Sequence, residues 1–284
     1  MLILKGIEYK FLCSLYFYIN WCWFFMMQLK SNINMKNKSR RSVIFILSIM
    51  FTSILLGSLV SGAQPLLEQP NIKKGFRLGE TLEYTVKVRG IPAGSQLMQI
   101  VDKRMIGGRE VYHLEAKSQA NKFFSLFYQF EDQFESYVLK DNMYPIKFNR
   151  NVIDGGYRGN VSIDIDDNKR TAKIVKNDKR REIKVPKGVQ DELSMLYFFR
   201  TKDIEVGKDY EFPAIMGTKI YNIDLVVLRT EYINTIFGKT KTFVIKSVVG
   251  DVTFWVTQDD NRILVKLETG TKLGKLVAEL KSIS

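Results

Sequence analysis

Side chains able to do chemistry are few and scattered in this chain. It has one histidine, His113, and two cysteines, Cys13 and Cys22, both near the start. Neither a Ser-His-Asp nor a Cys-His arrangement can be assembled from that stock beyond the N-terminal region. Strand alternation places His113 with Glu115 and Lys117, opposite Tyr112 and Leu114, and predicts a solvated strand residue. Zinc sites lose their usual ligands for the same reason, so no metal site and no cofactor are expected. Asp164-Ile165-Asp166-Asp167-Asn168 opens like a calcium loop. Its sixth position is Lys169 rather than Gly and its twelfth is Val175 rather than Glu, which leaves a hairpin turn. Asp191 and Glu192 are adjacent and so point in different directions, unlike a glycosidase couple. Asp191 reads as a helix cap or first-turn charge. No catalytic residue is assigned; a hydrolase built from scattered carboxylates is the third-ranked alternative.

Two side-chain groups point to binding. Phe123, Phe124, Phe127, Tyr128, Phe130 and Phe134 lie close together, and Tyr197, Phe198 and Phe199 form a second aromatic group. Core packing explains such groups by default. In a half-open barrel they would instead line an apolar ligand site, for which Phe123, Phe124, Phe127, Leu193, Leu196, Tyr197 and Trp255 are the expected lining. The second group is cationic: Lys169, Arg170, Lys173, Lys176, Lys179, Arg180, Arg181, Lys184 and Lys187, opposed by Asp178 and Glu182 alone. It could meet anionic headgroups or envelope glycans, or simply keep the outer face of a hairpin soluble and unpaired. Aromatic residues do not interleave with it, and a nucleic-acid partner is not expected.

The elements that would hold these groups are strands. From Gly79 the apolar period is two, with Leu82, Tyr84, Val86 and Val88 alternating against Thr81, Glu83, Thr85 and Lys87. Gly90-Ile91-Pro92-Ala93-Gly94 reads as a turn, and similar alternation recurs to Ser282 between short turns such as Asp154-Gly155-Gly156 and Asn177-Asp178. Two stretches break the pattern. Asn121–Phe127 and Val189–Arg200 have helical spacing, the latter with Leu193, Leu196 and Tyr197 on one side. The predicted fold is all-β: a curved antiparallel sheet, or open half-barrel, with one or two short helices against its concave face.

The N-terminal region predicts export. Met35 with Lys36, Lys38, Arg40 and Arg41, the apolar run Val43–Val60 and Ser61-Gly62-Ala63 form a signal peptide over residues 35–63. The apolar run is long enough that an uncleaved anchor is the rival reading, and no Cys follows it for lipidation. Phe11–Met27 is a second apolar run. Translation starting at Met35, which makes residues 1–34 an extension, competes with a transmembrane helix there. Residues 64–77 read as a flexible lead-in and 78–284 as a single β-rich domain. Past Ala63 there are 36 basic and 29 acidic residues, and the cationic group alone accounts for the excess. The location expected is the periplasm or the outer side of the envelope, with membrane contact through the signal and at most peripherally elsewhere.

Several segments resemble bacterial exported proteins of domain-of-unknown-function family 3108. They are Gly79-Glu80 with Leu82 and Tyr84, Gly90-Ile91-Pro92-Ala93-Gly94, Val111-Tyr112-His113, Phe127-Tyr128, Glu135-Ser136-Tyr137, Gln190-Asp191 with Leu193-Ser194, Leu196-Tyr197, and Trp255-Val256-Thr257. They span roughly residues 76 to 282; the long N-terminus departs from the family. The resemblance implies a secreted or periplasmic β-rich domain shaped like the open half-barrel of lipoprotein carriers, and no established activity. The expected function is binding of a lipid or other amphiphile of the envelope without catalysis. The alternative is a structural or protein-interaction module whose partner is another envelope protein.

Overall fold

A computed structural model describes residues 77–247, 251–271 and 274–284. The leader, the upstream extension and most of the lead-in therefore lie outside the described residues. Two antiparallel meanders make up the fold. The first holds β1 (Thr81–Val88), β2 (Ile91–Ile106), β3 (Arg109–Ala120), β4 (Phe130–Leu139), β5 (Pro145–Asp154), β6 (Tyr157–Asp166), β7 (Thr171–Lys176) and β8 (Lys179–Lys184). The second holds β9 (Asp209–Met216), β10 (Lys219–Thr235), β11 (Gly238–Ser247), β12 (Val252–Thr257), β13 (Leu264–Thr271) and β14 (Gly274–Ile283). Pairing of β1 with β14 joins them into one fourteen-stranded sheet with β8 and β9 at its edges. Strand edges that do not meet make this an open sheet, as the alternating pattern predicts.

Two short helices interrupt the strands: α1 (Lys122–Ser125) between β3 and β4, and α2 (Ser194–Arg200) between the meanders. Only α2 enters the fold. Tyr197, Phe198 and Phe199 of this helix are buried in the main apolar cluster with side chains from both halves of the sheet. α1 buries none of its residues. It is four residues long and capped by Asn121, whose side chain accepts from the Phe124 N–H.

Local chemistry explains two departures from the expected strands. The turn before β2 is only Arg89-Gly90, both at positive φ, the geometry of a two-residue hairpin loop. Ile91 to Gly94 already belong to β2, with Pro92 beside a register shift. Gly94 is required by close approach: a Cβ there would stand 2.4 Å from the carbonyl oxygen of Gln119. β9 is the strand the pattern misses, because Pro213 interrupts it. Pro213 is tolerated on an edge, where its carbonyl accepts the Gln190 N–H and Gln190 O in turn accepts the Ile215 N–H. The segment leaving β8 thus reaches the opposite edge of the sheet and covers part of it.

Candidate functional site

α2 does not fill the space it occupies. Between it and the sheet is a cavity of about 150 Å³ with almost wholly apolar walls. Leu82, Met98, Ala116, Leu225, Phe254 and Ala278 line it from the sheet, and Leu193, Leu196 and Tyr197 from α2 and its approach. Strands alternate their side chains, so residues two apart face it together, as Leu82 and Tyr84 of β1, Ile223 and Leu225 of β10, and Phe254 and Val256 of β12 do. Thr269 adds a buried hydroxyl with no hydrogen-bond partner among the described residues. The volume matches a dry engineered cavity that takes a small apolar guest, and lies below the ~300–1,000 Å³ of ordinary ligand sites.

Buried ionic groups hold both ends of α2. At its start, Asp191 Oδ1 accepts the N–H groups of Leu193 and Ser194 at 2.8 and 2.7 Å, and Ser136 of β4 donates to Oδ2 at 2.5 Å. Glu192 Oε2 receives Arg150 Nη1 of β5 at 2.9 Å, while Oε1 accepts the N–H of Gly217 in the β9–β10 turn. Arg150 also grips Asp132 of β4 with two nitrogens, at 2.9 and 2.6 Å. Thus Glu192 fastens the first meander to the second, and Asp191 ties the start of α2 to β4. At the far end, Arg200 pairs with Glu80 and donates to Asn261 O at 3.1 Å, and Arg262 donates to Arg200 O.

Burial dominates the titration of Asp191 and Asp132. Asp191 is pushed up to about 6 by loss of solvent, against the lowering effect of its hydrogen bonds from Ser136, Ser194 and Leu193. Asp132 is also pushed up to about 6 by burial, with Arg150 opposing and Glu192 reinforcing. Both acids are held by the residues around them, Asp191 by Ser136, Leu193 and Ser194 and Asp132 by Arg150.

A model of the family described as "Protein of unknown function (DUF3108)" matches residues 83–281. The chain belongs to this family. Its description assigns no activity, and the matched span takes in the cavity's lining apart from Leu82, α2, Arg150 and the Asp191-Glu192 fastening, with Glu80 just ahead of it. A search of curated proteins finds no match. Solved structures similar to this chain include a β-barrel-like protein of the domain of unknown function DUF1849 from Brucella abortus. It has 9% identity and a TM-score of 0.49, with 73% of this chain and 97% of that one covered. A Bacteroides fragilis protein described as exported, with a YmcC-like fold, has 9% identity, coverage of 74% and 98%, and a TM-score of 0.33. A Parabacteroides distasonis protein described as a lipoprotein has 11% identity, coverage of 74% and 97%, and a TM-score of 0.27.

The family's domain brings together three of the seven residues expected to line a ligand site. Leu193, Leu196 and Tyr197 face the cavity. Trp255 does not: Phe254 and Val256 on either side of it do, and Trp255 turns outward to donate to Glu231 beneath the Lys266 ammonium. Phe123, Phe124 and Phe127 sit at α1, away from the cavity, because that helix caps one end of the sheet instead of entering it. Phe124 packs on a small cluster with Ala93 and Tyr128, whereas Phe123 and Phe127 are 64% and 62% exposed. All nine residues of the cationic group are exposed, on the hairpin of β7 and edge strand β8 and its flanks. His113 takes the outer face as expected, but is only 4% exposed because Tyr137 stacks on it and Arg104 lies against it.

Proposed function

We propose that this protein holds the apolar portion of an amphiphilic envelope component between α2 and the concave face of its sheet, without catalysing a reaction on it. The observation that carries this reading is the apolar cavity of about 150 Å³ left beside a helix fastened at both ends. A closed, well-packed core contains few voids larger than a water molecule. Space of this size suits a segment of acyl chain or a single ring, and the Thr269 hydroxyl supplies a polar contact inside it. Export through residues 35–63 is part of the same reading and rests on the sequence pattern there.

Native mass spectrometry of the protein from an envelope fraction tests it, with lipid extraction of whatever co-purifies. A stoichiometric amphiphile adduct that is lost in Ala116→Phe, which fills the cavity, is the expected result. A clean apo mass that ignores added fatty acid and phospholipid would remove the reading. A second reading, a docking module of the envelope, is favoured by one observation: Phe123, Leu126 and Phe127 present an exposed apolar knob at α1.

A further inference from the structure

The outer face of β3 and β4 carries a side-chain group that the cavity does not use. His113 stands opposite Tyr137, and Glu115 opposite Glu135. The His113 and Tyr137 rings stack with centroids 4.6 Å apart and planes 2° from parallel, which fixes the imidazole. Its Nδ1 lies 3.0 Å from Arg104 Nη2, a nitrogen that only donates, so Nδ1 accepts and the ring proton sits on Nε2.

Nε2 is buried and has no hydrogen-bond partner among the described residues. Glu115 Oε1 is 3.3 Å away but off the hydrogen-bonding direction. One ring nitrogen of His113 and one oxygen each of Glu115 and Glu135 lie within 4.8 Å of one another, and Nε2 is the nitrogen on the Glu115 side. Two carboxylates directly opposed across strands destabilise each other. Glu135 is met by a neutral donor, Asn149 Nδ2 at 3.2 Å, and makes no ion pair among the described residues.

We propose that His113, Glu115 and Glu135 bind a divalent transition-metal ion of the zinc type on the outer face of the sheet. One imidazole and two carboxylates leave a fourth position open to water or to a ligand from outside. Ligands about 2 Å from a tetrahedral ion are roughly 3.3 Å apart, so no pair of the three atoms closes by more than about 1.5 Å, and Nε2 and Glu115 Oε1 already stand at 3.3 Å. The two partly exposed glutamates supply that movement while the stacked imidazole stays in place. The ion cancels the opposed charges of Glu115 and Glu135.

Binding through Nε2 moves the ring proton to Nδ1. Asp102 Oδ1, now 4.0 Å from Nδ1, is the acceptor there, and Arg104 yields its place while remaining paired with Asp102 at 2.8 Å. The result is a carboxylate behind a metal-bound imidazole, an arrangement that orients the ring and raises its basicity. Arg104 therefore competes with the ion.

Equilibrium dialysis of the tag-free protein against Zn²⁺, read by elemental analysis, tests this. One zinc per chain is expected, with affinity lowered by about tenfold or more in Glu135→Gln and in His113→Gln. Arg104→Gln is expected to bind several-fold tighter, an effect that a merely structural role for Arg104 would not produce. Glu135 is partly exposed, so its variant folds even if loss of His113 disturbs the stack. Absence of stoichiometric uptake, or equal uptake by wild type and Glu135→Gln, overturns the proposal.

Discussion

Arg200 in the last turn of α2 meets Glu80, the residue before β1, in a two-pronged ion pair that spans 120 residues of sequence. Both side chains are nearly excluded from solvent, 8% and 1% exposed. Neutralising Glu80 takes the bidentate counter-charge from a buried guanidinium. Glu80→Gln is therefore expected to destabilise the fold by about 3–5 kcal/mol. Glu80→Gln combined with Arg200→Met should recover part of that loss, because the buried guanidinium is removed as well. Urea unfolding of the two variants checks it; equal loss in both would mean that the pair's charge is not what matters.

Acid should stabilise this protein before it unfolds it. Asp191 titrates near 6 in the folded state against an ordinary value of 3.8, so the folded state binds its proton more readily than the unfolded chain. Its contribution to stability then grows as pH falls from about 6 toward 4. Exposed acids act oppositely: Lys103 and Lys140 hold Glu110 down to about 2, and stability owed to it is lost as pH falls below the ordinary carboxylate range. A melting midpoint higher at pH 5 than at pH 7.5 is expected. Asp191→Asn, which keeps an oxygen for the Leu193 and Ser194 N–H groups, should shrink the difference and leave the share due to Asp132. An unchanged pH profile in that variant would count against the raised Asp191.

Gly94 offers a purely steric test. Its ideal Cβ would lie 2.4 Å from Gln119 O, a backbone atom that cannot swing aside. Gly94→Ala forces β2 and β3 apart where they pair, and should cost about 1–3 kcal/mol. Thermal melting measures it, with Gly90 as an unsuitable control because its φ of 81° adds a separate strain.

The alternation of apolar residues made the sheet legible, and helical spacing placed Leu193, Leu196 and Tyr197 on the face that meets the cavity. Aromatic composition was a poorer guide, since it says nothing about which face of β12 carries Trp255 or which end of the sheet carries α1. β9 was hidden by Pro213, an edge-strand proline whose neighbour is supplied from a distant segment. The buried charges were missed although a signal was there. Arg150 falls in register with Phe148 and Val152, and Asp132 with Phe130 and Phe134, so each polar residue sits on an apolar face of its strand. The opposition of Glu115 and Glu135 depends on strand register, which a single sequence does not display.

The apolar knob at α1 can be separated from folding. Phe123, Leu126 and Phe127 are largely exposed, so Phe123→Ser with Phe127→Ser removes little buried area and should change stability by no more than about 0.5 kcal/mol. If the knob docks on an envelope partner, the double variant loses co-sedimentation with envelope fractions while its melting curve stays put. Retained co-sedimentation would assign envelope contact elsewhere, the exposed cationic hairpin being the next surface to neutralise.

Enlarging the cavity separates a binding site from a packing defect. Leu225 is 7% exposed and lines it from β10. Leu225→Ala should cost about 2–5 kcal/mol, through lost transfer energy and added void. A guest that occupies only the folded state restores stability as RT ln(1 + [L]/Kd), which is about 2.7 kcal/mol at a hundredfold excess over Kd. Medium-chain fatty acids are therefore expected to raise the melting midpoint of wild type and to raise that of Leu225→Ala further, with longer chains favoured in the variant. Thermal denaturation across a chain-length series reads this directly. A variant that is destabilised but indifferent to every chain length would make the cavity a packing defect and leave the α1 knob as the stronger lead to function.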